Sequence, residues 1–385
     1  MERRILFVTQ TAFHPPYQGD SARVAALVSY FRQRGWFVAV CHFHDPAQLA
    51  ADYGGMASRC DVLSIYRPSE RDLADRHLGG LDSWCPPGLL RQVGEDCRRL
   101  QVMAVVAQCA FLSRCLCAAD AGTVRVLDAD NLFAGRQDVY QRVGLEYDWF
   151  SCTREEEALA LSRADLILAI QESELQALRG QAGGRPVLLV PHARTVLRAA
   201  PGDPASLLFV GADNPENRAG VGRFLDAAWP EIRREHPNAR FTLLGGVARH
   251  VSGPVPGVKA LGVVDDLTPY YHQAGIALSL APCGTGLKIK TVEALCYGKC
   301  LVTTPAGIQG LERYPEVYHL APSAAECGPV VARLLRDPER VRSTGEAAHR
   351  FASWYFRPDT VYGRLEEAIR NWPGAVCRET SAHAD

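Results

Sequence analysis

"RILFVTQ" (residues 4–10), "SARVAALVSYFRQRGW" (21–36) and "WFVAVCHF" (36–43) follow one another as strand, helix and strand. That order constrains the fold more than any other feature of the chain. Two strands separated by a whole helix cannot close a hairpin, so they lie parallel, with the helix crossing one face of the sheet. Val24, Leu27, Val28 and Phe31 recur at helical spacing, with Asp20 or Ser21 as cap and Gly35 as stop. The alternation continues through short apolar runs near 61–66, 102–108, 123–127, 165–170 and 186–190, with 67–100 less regular and helical in part. "VPHARTVLRAAPGDPAS" (190–206) breaks it with Pro, Gly and Asp and reads as a linker. A second series opens with "SLLFVG", a helix around 218–235 and "RFTLLGG", then strands near 258–261, 276–281, 301–304 and 317–320.

A chain of 385 residues is too long for one ordinary core. The expected class is therefore α/β, with two Rossmann-like parallel-sheet domains, residues 1–190 and 205–350, facing each other across a cleft. Parallel sheets bind ligands beyond the C-terminal ends of their strands. The segments "QGDSA", "DADNLF", "GADNPEN", "GGVARH" and "APCGTGLK" all follow expected strands, so the site should be built from them.

The formal net charge of -1 gives no global attraction to nucleic acid, so no nucleic-acid partner is expected and any anion site must be local. Thirteen cysteines are scattered through apolar runs with no CxxC pair, which argues for buried, reduced thiols in a cytoplasmic protein. "MERRILFVTQ" lacks the apolar core of a signal peptide, and no apolar run approaches the roughly 18 residues that span a bilayer. The arginines of "RQVGEDCRRL" (91–100) leave peripheral contact with the inner membrane face open, although a solvated helix face explains them more simply.

The densest chemistry lies in "GTGLKIKTVEALCYGKC" (284–300). The strand "IALSLA" leads into a glycine turn and then a helix. Free N–H groups and the helix dipole there would favour a phosphate, and Lys288 and Lys290 add full charge. Without an anion, cations at a helix N-terminus cost about 0.3–1 kcal/mol each. Lys290 and Glu293 share one face, and a solvated ion pair between them is the competing reading. "DADN" (128–131) could be a metal-binding DxD or an Asx turn. His42 and His44 share a strand face but lack further ligands, so no metal is expected. His192 is read as packing within the linker. Gly19, at a helix start, would let backbone approach a ligand closely.

"GTGLKIKTVEALCYGKCLVTTPAGIQGL" closely resembles the C-terminal signature of the large retaining family 4 of GT-B glycosyltransferases. "LLFVGADNPENRAGVGRFLDAAWPEI" is similar to the opening of that family's donor domain, and "LGVVDDLTPYYHQAGIALSLAP" to its base-binding region, with Gly262 and Val263. The resemblance implies a nucleotide-diphosphate sugar as co-substrate, no cofactor, and transfer with retention to an acceptor hydroxyl. It implies donor contacts from Thr285, Gly286, Leu287, Lys288 and Lys290, with Glu293 on the ribose. Gly19, Asp128 and Arg136 become acceptor-side candidates, and Lys290 and Asp130 catalytic ones. The stretch 351–385, with a helix around 358–371, would return to the first domain.

Three departures matter. Thr285 stands where a second glutamate is usual, and Ala212 and Asn217 replace the basic pair that holds the diphosphate. Lys288 and Lys290 are the evident substitutes. Polysaccharide, glycoconjugate, lipid-linked and small-molecule acceptors all stay open. So do two further readings, a nucleotide-sugar epimerase of the same fold and a non-catalytic nucleotide-sugar binding protein.

Overall fold

A computed structural model describes residues 2–16, 18–46, 51–76, 79–147, 149–197 and 201–373. The first sheet contains β1 (Arg4–Thr9), β2 (Phe37–Phe43), β3 (Val62–Tyr66), β4 (Ala104–Gln108), β5 (Val124–Ala129), β6 (Leu166–Ala169) and β7 (Val187–Leu189). Its order is β3-β2-β1-β4-β5-β6-β7, and every pairing is parallel. The second sheet contains β8 (Asp203–Val210), β9 (Arg240–Leu244), β10 (Val258–Gly262), β11 (Ala274–Ser279), β12 (Cys300–Thr303) and β13 (Tyr318–Leu320). It runs β10-β9-β8-β11-β12-β13, again all parallel. Each order reverses beside the first strand of its series, at β1/β4 and β8/β11. Those are the switch points where such sheets open a crevice.

The strands are nearly continuous apolar runs because both faces are covered. Ile5, Phe7, Val38 and Val40 face one layer of the first core, and Leu6, Val8, Ala39 and Cys41 the other. The last helix, Pro358–Arg370, contributes Val361, Tyr362, Leu365 and Ile369 to the layer of Ile5 and Phe7. Its Glu366 is held by Arg3, Tyr30, Arg34 and Trp36. The helix before it, Pro338–Tyr355, instead gives Phe351 and Ala352 to the second core. Residues 374–385 of the C-terminal stretch lie outside the described residues.

Some local expectations shift. The first helix is Gly19–Gln33, capped by Gln18 rather than Asp20 or Ser21, because the Ser21 hydroxyl turns back onto the Gln18 backbone. "DPAS", read as linker, is the start of β8, since Asp203 pairs with Ala274. The 67–100 stretch contains helices Glu70–Arg76 and Pro87–Leu100. Leu89, Val93, Cys97 and Leu100 of the second are buried, and Arg91, Arg98 and Arg99 are exposed. Of the described cysteines only Cys117 is exposed, and none is in a disulfide. No helix among the described residues is long and apolar enough to cross a membrane.

Candidate functional site

The C-terminal ends of both sheets meet around residues 284–293. At Gly19 an added Cβ would lie 2.8 Å from Ile289 Cγ1, so the first-domain helix start abuts the second-domain helix start. Ile289–Cys296 is that second helix, with Lys288 as its extended N-cap and Gly298 as its left-handed stop at φ 63°. Thr291 ties it to the sheet through the Ser279 hydroxyl of β11 at 3.0 Å, and to the loop after β12 through the Gly307 carbonyl at 2.7 Å. Gly286 is left-handed at φ 75°, and an added Cβ would lie 2.5 Å from Asn131 Oδ1. A glycine is required there on both counts.

The two lysines diverge. Lys288 curls back over its own loop and donates to the carbonyls of Thr285 (2.9 Å) and Gly286 (3.2 Å). Lys290 crosses to the start of helix Pro215–Arg223, donates to Asn217 Oδ1 and lies 4.5 Å above the Phe209 ring. Its ammonium therefore stands beside one of the two positions where the expected basic pair is replaced. Burial pushes Lys290 down to about 7, and burial with the nearby Arg136 charge pushes Lys288 down to about 8. Such groups are poised for an anion that would restore their charge.

Glu293 is buried but engaged. Arg194 donates to Oε1 at 2.6 Å and the Tyr271 hydroxyl to Oε2 at 3.3 Å. Tyr271 stacks on Tyr297 at 4.3 Å, and the Arg194 guanidinium lies 5.4 Å from the Tyr297 ring centre. Thr285 bonds the Leu132 carbonyl at 3.1 Å, joining the glycine loop to the loop after β5. Leu287 is buried in the second core. Gly262 ends β10 in a left-handed conformation and its carbonyl accepts the Gly245 N–H at 2.6 Å, while Val263 is exposed.

On the first-domain side, Asp128 is held in a buried ion pair. Both oxygens are taken by Arg23, at 2.8 and 2.5 Å, and each residue is 1% exposed. Asp130 accepts from Gln108 (3.3 Å) and the Cys109 thiol (3.1 Å), and burial beside Asp128 pushes it up to about 6. Arg136 is caged by Phe133, Tyr140 and Tyr147 at 5.4, 5.9 and 5.3 Å and forms no ion pair among the described residues. His192 is buried, and burial next to Arg23 and Arg194 pushes it down to about 3. His44 bonds the Tyr53 hydroxyl. Burial pushes His42 down to about 4. No group of three or more His, Cys, Asp or Glu among the described residues is arranged to hold a metal ion.

Sequence reading missed four contributors. Arg194 lies in the stretch that reads as a linker. Arg23 lies in the first helix and belongs to no motif. Glu216 follows β8, and its negative charge favours the charged form of both lysines. Glu174 follows β6, and its Oε1 accepts the Gly286 N–H at 2.6 Å across the domain boundary. Its place after a strand end was the available signal. Unpartnered buried polar atoms gather at these strand ends, on Gln10, Arg136, Gln171, Glu174 and His192. Such groups are rare in a finished interior and call for a partner, which an ordered water or a polar ligand would supply.

The family model for Glycosyl transferases group 1 matches residues 204–337, about a third of the chain, and covers the glycine loop and both lysines. No curated protein matches the sequence. Among solved structures, sucrose-phosphate synthase from Thermosynechococcus elongatus superposes with a TM-score of 0.71 at 14% identity, covering 100% of both chains. HepE from Anabaena, in complex with UDP and glucose, gives 0.68 at 15% identity, covering 96% of this chain and 99% of its own. The pneumococcal O-GlcNAc transferase GtfA, in complex with UDP and GlcNAc, gives 0.66 at 10% identity over 96% and 99%. The architecture is thus the two-domain GT-B fold.

Proposed function

We propose that the protein is a glycosyltransferase that moves a sugar from a nucleotide-diphosphate sugar to an acceptor hydroxyl with retention of configuration, in glycan, polysaccharide or glycoconjugate synthesis. One observation carries this reading: Lys290 reaches Asn217, returning a cation to a phosphate cradle whose usual basic pair is absent. The match of the glycosyl transferase family model over the same segment supports it. Neighbours crystallised with UDP and a sugar support the donor class.

In the proposed reaction the acceptor hydroxyl attacks on the face from which the diphosphate departs. The leaving diphosphate takes up the hydroxyl proton, so the protein needs no dedicated base. Its main contribution is electrostatic, in offsetting charge that grows on the leaving oxygens. The Gly286 and Leu287 amides, Lys290 and Lys288 would do this. Glu293 would accept from the ribose hydroxyls, and Arg136 and Asp130 would face the acceptor. No metal is assigned a role, and transfer should persist in chelator. Activity lost there and restored by manganese would return "DADN" to consideration as a metal site.

A thermal-shift panel of nucleoside diphosphates tests the reading. The correct one at 100 times its Kd should stabilise the fold by about 2.7 kcal/mol. A panel with no shift would refute a nucleotide-sugar function. Conversion of a sugar nucleotide without any acceptor would point to an epimerase instead. Binding with neither transfer nor conversion would leave a non-catalytic binding protein. Glu293→Gln should weaken binding of the nucleotide alone. Unchanged affinity in the folded variant would remove Glu293 from the ribose.

A further inference from the structure

Glu174 belongs to the first domain, yet its best hydrogen bond goes to the second. It opens no strand and caps nothing on its own helix, Glu172–Gln181. Oε1 accepts the Gly286 N–H at 2.6 Å and Gln171 Nε2 at 3.0 Å, while Oε2 is buried without a partner. The Gly286 amide is one of the donors assigned above to the diphosphate. A carboxylate and a phosphate oxygen cannot both accept from it without strong repulsion in a site of low dielectric. Glu174 therefore occupies, in this state, a position that the donor must take.

We propose that Glu174 gates donor binding: it holds the Gly286 amide in the free protein and yields it to the diphosphate while taking one proton from solution. The inference rests on the nucleotide-sugar reading. The proton has a place to go, because a protonated Oε2 becomes a donor toward a phosphate oxygen. Burial already pushes Glu174 up to about 7, with the Gln171 and Gly286 bonds and the Lys288 charge opposing, and the Asp130 charge adding to the rise. Other titratable or charged groups acting at the loop are Lys288, Lys290, Glu216 and Cys283 from the second domain and Asp130, Arg136 and Tyr140 from the first. The lysines also take up protons when an anion binds, so the test must separate them from Glu174.

With a free-protein value of about 7, protonating Glu174 weakens donor binding by about tenfold at pH 8 and by little at pH 6. Titration calorimetry of the nucleoside diphosphate found by the panel, in buffers of different ionisation enthalpy at pH 8, reads the proton count directly. Glu174→Gln should bind about tenfold more tightly than wild type at pH 8 and equally at pH 6, and should take up nearly one proton fewer. Lys290→Met should lose its own increment and leave the difference due to Glu174 intact. Glu174→Asp keeps the charge but withdraws it from the amide, and should fall between. Equal proton uptake in wild type and Glu174→Gln, or weaker binding by the Gln variant at pH 8, would overturn the gate. If Glu174→Gln does not fold, a wild-type affinity that is flat from pH 6 to 8 does the same. Absence of binding by every nucleotide to wild type would instead refute the donor reading itself.

Discussion

Lys290→Met should transfer sugar about 10²–10³-fold more slowly than wild type, the loss seen when one preorganised transition-state donor is removed. The fold should survive, because methionine fills the same channel above Phe209 and removes a charge that is poorly solvated there. Affinity for the bare nucleoside diphosphate should fall less than turnover, since charge on the leaving oxygens is greatest as the sugar departs. Lys290→Arg should recover only part of the rate. Its planar fork is bulkier and cannot present a compact charge through the same opening. Near-normal transfer by Lys290→Met would place the diphosphate elsewhere and leave the Asn217 contact a packing detail.

Asp128→Asn should destabilise the protein by about 3–5 kcal/mol, the usual result of stranding one member of a buried ion pair. Arg23 has no route to solvent, and its Nη1 already lacks a partner. Asparagine offers one acceptor oxygen where two now bind, and no charge. The double variant Arg23→Met with Asp128→Leu should regain most of the loss, because a buried pair contributes little beyond an apolar pair of similar volume. The midpoint of urea unfolding measures both. A midpoint unchanged in Asp128→Asn, with weakened acceptor binding, would return Asp128 to the acceptor site.

The two-sheet architecture was legible because parallel strands buried on both faces must be nearly all apolar, and "RILFVTQ" or "IALSLA" can be little else. The glycine loop was legible because its backbone needs φ values that only glycine takes easily, as at Gly286. The partners of the key side chains were not. Arg194 meets Glu293 across 99 positions of sequence, and Glu174 meets Gly286 across 112. No local pattern encodes such a meeting. Asp128 and Asp130 show the same limit: two carboxylates with one residue between them take different partners, Arg23 for the first and Gln108 with Cys109 for the second, and only the burial of Arg23 assigns the first to structure. Lys288 and Lys290 diverge because the helix begins between them, a boundary that periodicity locates only to within a turn.

The chain passes from one domain to the other twice, once after β7 and once between helices Pro338–Tyr355 and Pro358–Arg370. These two passages are joined to each other, the Arg194 N–H donating to the Phe356 carbonyl at 3.0 Å and the Ala193 N–H to the Tyr362 hydroxyl at 3.1 Å. Two passages stitched together would restrain a joint differently from one, opposing twist more than bending about a single axis, as two pins do for a door. The Arg194 side chain leaves that joint to grip Glu293. A ribose bound at Glu293, as proposed, would therefore pull on the pin itself, and its binding would be felt where the door turns.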